Sequence, residues 1–79
     1  MITAKEMRKV TFMARENLMK ELEALIIDQA VREAELGYEY ACITLPQQFD
    51  TVHSELEDKL KGHGFDYHWE SIDMITISW

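Results

Sequence analysis

The sequence is poor in the residues that break, staple or cradle. It has one cysteine, one proline and three glycines in 79 residues. A single cysteine excludes an intrachain disulfide and fits a reducing compartment. Cys42 is then expected to be a small buried apolar residue rather than a nucleophile. Three scattered glycines exclude a phosphate-cradling loop. No run approaches the ~18 apolar residues of a membrane helix. The opening stretch, Met1-Ile-Thr-Ala-Lys-Glu, carries no apolar leader-like segment. The expected setting is cytoplasmic.

Basic residues are scarce as well, 8 against 15 acids, for a net charge of −7. They are unevenly placed. Residues 1–20 hold Lys5, Arg8, Lys9, Arg15 and Lys20 against Glu6 and Glu16, a net +3. The remainder holds three bases against thirteen acids, a net −10. An acidic body repels nucleic-acid backbones, so nucleic acid is not the expected partner. The basic segment instead suits a phosphate group, or the acidic body of another copy.

What is present in quantity is helix. Thr3 to Leu36 contains no Gly and no Pro, and Gly37 follows. At ~1.5 Å per residue this spans roughly 50 Å, whereas a compact domain of this length has a radius of gyration near 12 Å. Part of the helix therefore lacks a body to pack on. Thr3-Ala4-Lys5-Glu6 matches a capping box, with Ile2 and Met7 at the staple positions. Met7, Val10, Ala14, Leu18, Leu22 and Leu25 form one stripe, with Phe12, Met13 and Met19 off its centre. From Leu22 to Ala34 apolar residues go nearly all round, which predicts burial on several sides. Residues 1–22 read as a projecting or partner-packing arm, and a homo-oligomer through the first helix is expected.

Downstream, Tyr38–Leu45 reads as a strand with Ala41, Ile43 and Leu45 on one face. Pro46 opens a second helix ending near Lys61, with Phe49, Val52, Leu56 and Leu60 as its apolar stripe and Asp50, Glu55, Glu57, Asp58 and Lys59 toward water. Phe65–Glu70 and Met74–Trp79 alternate across a short connection, the pattern of an antiparallel hairpin. The fold class is α+β, one domain over residues 1–79, in the order α-β-α-β-β. A crossover from the first strand places the strands in the order 1-3-2, with Ile43, Phe65, Tyr67, Ile75, Ile77 and Trp79 facing both helices.

Signals for chemistry are thin. His63, Asp66 and His68 lie close in sequence, but their spacing matches no metal-ligand signature. His53 reads as a surface imidazole. No nucleophile–base set and no carboxylate pair isolated in an apolar pocket can be drawn, so no enzyme, metal or cofactor is expected. The open sheet face would present Tyr38, Tyr40, Thr44, His68, Met74, Thr76 and Ser78, residue types suited to a subunit interface or to a stacked base. Arg8, Lys9, Arg15, Tyr38, Tyr40 and His68 are the candidate ligand or partner contacts.

Taken whole, the chain resembles a group of small tailed-bacteriophage proteins. The resemblance rests on Met1-Ile-Thr-Ala-Lys-Glu-Met-Arg-Lys-Val-Thr11 at one end and Leu60…Gly64-Phe65…Ile75-Thr-Ile-Ser-Trp79 at the other. The first helix departs from that group in its extra Met and aromatic residues. The resemblance implies a phage origin in a host cytoplasm and the same element order, with no activity or site residues to carry over. The leading functional expectation is a non-enzymatic accessory protein that self-associates through its first helix and binds a host or anti-phage defence protein stoichiometrically. Two alternatives stand beside it: an oligomeric sponge for a signalling nucleotide, held by the basic arm and the tyrosines, and a virion or assembly component.

Overall fold

The computed structural model describes residues 1–79. The first helix, α1 (Ala4–Glu35), is 32 residues long. Thr3 is its N-cap, and its hydroxyl oxygen accepts from the Glu6 backbone N–H at 3.2 Å. This satisfies one of the free donors of the first turn. At the other end, Gly37 takes φ +93°. Gly37 N–H donates to the Ala34 carbonyl at 3.0 Å and Tyr38 N–H to that of Glu33 at 3.1 Å. That pair of bonds is the Schellman closure, and it needs the left-handed residue that glycine supplies without strain.

Strand β1 (Tyr40–Thr44) follows. The expected second helix is two pieces. Gln47–Val52 is a 3₁₀ segment and α2 (His53–Gly62) is the α-helix proper. Pro46 is extended, at ψ 148°, and offers no capping side chain. The first turn closes instead through the tighter Phe49 N–H to Pro46 carbonyl bond at 3.0 Å. A second Schellman closure ends α2, with Gly64 at φ +83° and Phe65 N–H donating to the Leu60 carbonyl at 2.9 Å. Strands β2 (Asp66–Trp69) and β3 (Met74–Ser78) complete the chain.

The sheet order is β1-β3-β2, and both pairings are antiparallel. The α+β class, the element order and the 1-3-2 sheet are those expected from the sequence. Ala41, Ile43, Leu45, Ile75 and Ile77 form the buried sheet face. Phe49, Val52, Leu56 and Leu60 cover it from the second helical segment, as the stripe predicts, and Met19, Leu22 and Ile26 cover it from α1. Phe65, Tyr67 and Trp69 pack at the margin. Trp79 remains exposed, its ring edge-on to Phe65.

Two readings of α1 need correction. Its contact with the sheet is made by Met19, Leu22 and Ile26, whereas the stripe legible in the sequence is Met7, Val10, Ala14, Leu18, Leu22 and Leu25. Of that stripe only Leu22 is buried, with Leu18 and Leu25 partly so. The helix crosses a small sheet, so three residues on successive turns are all that reach it. Met19, placed off-centre from sequence, lies in the core. The stretch Leu22–Ala34 is also not covered on several sides, because Ile27 and Val31 are 61% and 47% exposed. The long helix sets the molecule's shape: 54 × 21 × 20 Å, with a radius of gyration of 14.6 Å. No helix is long and apolar enough to cross a membrane.

Candidate interaction surfaces

Residues 1–17 are exposed without exception, and burial on α1 begins at Leu18 and Met19. The arm of α1 therefore runs past the body for about fourteen residues, or roughly 20 Å. Met7, Val10, Phe12 and Met13 are each half or more exposed on it. Arg8, Lys9 and Arg15 also lie on this arm. Arg15 lines a cleft of about 490 Å³ between the arm and α2, facing Glu23, Glu55 and Lys59. Lys59 pairs with Glu23, tying α2 to α1. On the other side of that pair, Ile26, Ile27, Ala30, Leu60 and Phe65 line an apolar groove of about 410 Å³.

The other candidate residues are far away. Tyr38 and Tyr40 sit beyond the C-terminal end of α1, in edge contact at 5.6 Å between ring centroids. Arg8 is 27 residues before Glu35 on that helix, an axial distance of roughly 40 Å. His68 lies on β2, exposed, with Nε2 4.0 Å from Glu70 Oε1. Arg8, Lys9 and Arg15 are thus not joined with Tyr38, Tyr40 and His68 in one protomer, and a nucleotide using both groups would have to bridge copies.

The open sheet face follows the strand register. Tyr40, Ser78 and Asp66 form one row across it, and Cys42, Thr76 and His68 the next. Cys42 is exposed there rather than buried. In β1 it alternates with the core residues Ala41 and Ile43, so the period of two directs it outward. The Cys42 thiol and the His68 imidazole share that face with β3 between them, roughly 10 Å apart at the usual strand spacing. No group of three or more His, Cys, Asp or Glu side chains is arranged to hold a metal ion.

Two side chains read as solvent-facing are structural. Glu57 on α2 accepts from Trp69 Nε1 at 2.8 Å and from the Tyr67 hydroxyl at 3.2 Å. His53 is half-buried and packs against the Trp69 ring at 4.7 Å between centroids. Both positions face β2 one turn apart, and the aromatic residues of that strand supply the contact.

The largest feature not anticipated is on the far side of α1. Val10, Met13, Ala24, Ile27, Val31 and Ala34 are all exposed. With Asn17 and Lys20 filling the middle, the positions advance in alternating steps of three and four. This is the heptad spacing of a helix–helix seam. It lies roughly 150° around the helix from Met19, Leu22 and Ile26, so it points away from the sheet. The signal was present in the sequence, but two polar residues at its centre split it into short pieces.

Comparison with protein families, curated proteins and solved structures finds no match to this chain.

Proposed function

We propose that the protein is a non-enzymatic binding protein that self-associates through α1 and acts stoichiometrically on another protein. The observation that carries this reading is a 32-residue helix with only Met19, Leu22 and Ile26 buried. An isolated helical arm gains little from helix propensity alone, and tertiary or quaternary packing is the usual source of its stability. Exposed Val10, Met13, Ile27 and Val31 supply apolar area for that packing. A core of twelve buried residues is small, and oligomerisation is a common supplement in domains of this size.

The function assigned to the assembled protein is inhibition of a host or anti-phage defence protein. It rests on the resemblance of the two chain ends to small phage proteins and on the acidic body, which suits a basic protein surface. Size-exclusion chromatography with light scattering tests the first half. An oligomer at micromolar concentration is expected, and a monomer there would remove the reading. Capture of a host protein at fixed stoichiometry, released at high salt, is the expected result for the second half. Stabilisation by a cyclic or ADP-ribose-type nucleotide in a thermal-shift screen would transfer the reading to a nucleotide sponge.

A further inference from the structure

The exposed seam on the back of α1 does more than allow association, because its residue order selects an orientation and a register. We infer that α1 pairs with α1 of a second copy as an antiparallel two-helix coiled coil, with its dyad between Leu18 and Met19. This rests on the self-association proposed above.

Charge sets the direction. Residues 1–20 carry a net +3; residues 21–35 carry five acids against Arg32, a net −4. Parallel pairing stacks each half on its own sign. Antiparallel pairing lays every basic arm along an acidic half.

Polarity sets the register. With the dyad at this position Val10 meets Ile27, Met13 meets Ala24, and Asn17 meets Lys20 of the second copy. The two polar seam residues thus face each other, and apolar faces apolar in the next two layers on either side, beyond which Val31 meets Glu6 and Ala34 meets Thr3 near the helix ends. The dyad repeats this pairing, so two adjacent polar layers result, and buried polar positions of this kind fix register in coiled coils. The central Lys20 pair lies among Glu16 and Glu21 of both helices, which offsets the like charges meeting at the dyad. A slip of one heptad would set Asn17 on Ile27 and Lys20 on Ala24, leaving polar groups against apolar ones. The chosen register also overlaps the two helices along nearly their whole length, residues 4–33 on each. The seam points away from the sheet, so the two bodies lie on opposite outer sides and do not meet.

The test is disulfide trapping in full-length protein carrying Cys42→Ser, which removes the exposed native thiol. Val10→Cys and Ile27→Cys chains, mixed and mildly oxidised, should cross-link to each other, while neither variant alone should. Self-linking of either variant alone would show parallel pairing and overturn the inference with self-association intact. Linking of Met13→Cys to Val31→Cys in place of that pair would show the slipped register and overturn it in the same way. An oligomer in which none of these pairs link would move the interface off this seam. A monomer by light scattering would remove self-association itself. As a second measurement, Ile27→Asp should weaken association by about tenfold or more, while Phe12→Ala, off the seam, should leave it unchanged. Ile27 is 61% exposed in the protomer, so unchanged circular dichroism at high dilution is expected for Ile27→Asp.

Discussion

Trp69 donates its indole N–H to the Glu57 carboxylate at 2.8 Å, and Tyr67 donates its hydroxyl to the same group at 3.2 Å. One carboxylate on α2 thus holds two alternate residues of an edge strand. Glu57→Ala leaves both donors at a half-buried margin, and hydrogen bonds to charged groups are worth about 1.5–3 kcal/mol each when sheltered. Partial exposure reduces this, so a loss of about 1–2 kcal/mol is expected, or roughly 4–16 °C in Tm for a domain of this size. Glu57→Gln keeps an acceptor and should lose less. Thermal unfolding followed by tryptophan fluorescence measures both, and equal stability of Glu57→Ala and wild type would refute the role.

Leu22 is fully buried between α1 and the sheet. Leu22→Ala removes core volume at a site where neighbours can close the gap only partly, with an expected cost of about 2–5 kcal/mol. Small domains have 5–15 kcal/mol in total at most, so this is a large fraction. Met13→Ala, on the same helix but 59% exposed, should leave the protomer's stability within about 0.5 kcal/mol. Urea titrations at high dilution, where association does not contribute, compare the two. Similar effects from both would place the arm against the body.

Gly37 takes φ +93° with nothing within 4 Å of where a Cβ would stand. The cost of Gly37→Ala is therefore backbone strain without a clash, about 1–2 kcal/mol. Gly37→Asn should recover part of it, since Asn tolerates the left-handed region better. Denaturant unfolding of the two variants decides this, and no loss in Gly37→Ala would mean that the helix end had relaxed to another closure.

The scaffold was largely legible because its signals are local and agree with one another. Thr3 with Glu6, the two glycine stops and the strict alternation of Ile75 and Ile77 each specify one element. The side of α1 that meets the sheet was not legible. Met7, Val10, Ala14 and Leu18 have the periodicity of a core stripe, but the sheet is too short to reach them. Met19 and Ile26 take its place because they stand over the strands. Cys42 was misread from residue preference, although alternation with Ala41 and Ile43 already placed it outward. Among the candidate contacts, Arg8, Lys9 and Arg15 fall on the arm, Tyr40 and His68 on the sheet, and Tyr38 just ahead of it. Sequence neighbourhood carries no information on that separation.

The outward placement of Cys42 has a chemical consequence. An exposed thiol reacts with a disulfide reagent without unfolding, whereas a buried one waits for opening of the structure. One equivalent per chain should react in native buffer at the rate of a free thiol, with no change on adding denaturant. Protection that is lost only in denaturant would mean that the open sheet face is covered in solution, and would make that face a second interface.

Hydrogen exchange separates the lone protomer from the assembled protein. In the protomer, residues 4–17 of α1 are all exposed and none joins the core, so the arm opens by fraying from its end, and its amides should exchange early. The amides around Leu22 and Ile26 sit on the core and should exchange late, close to global opening. Pairing of α1 with a second copy would make arm opening depend on dissociation, so protection of residues 4–17 should rise with protein concentration while that around Leu22 changes little. Mass spectrometry of peptides from both halves across a dilution series reads this directly. Arm protection that is high and independent of concentration would mean that the arm is held within one chain, and helix-mediated association would lose its physical basis.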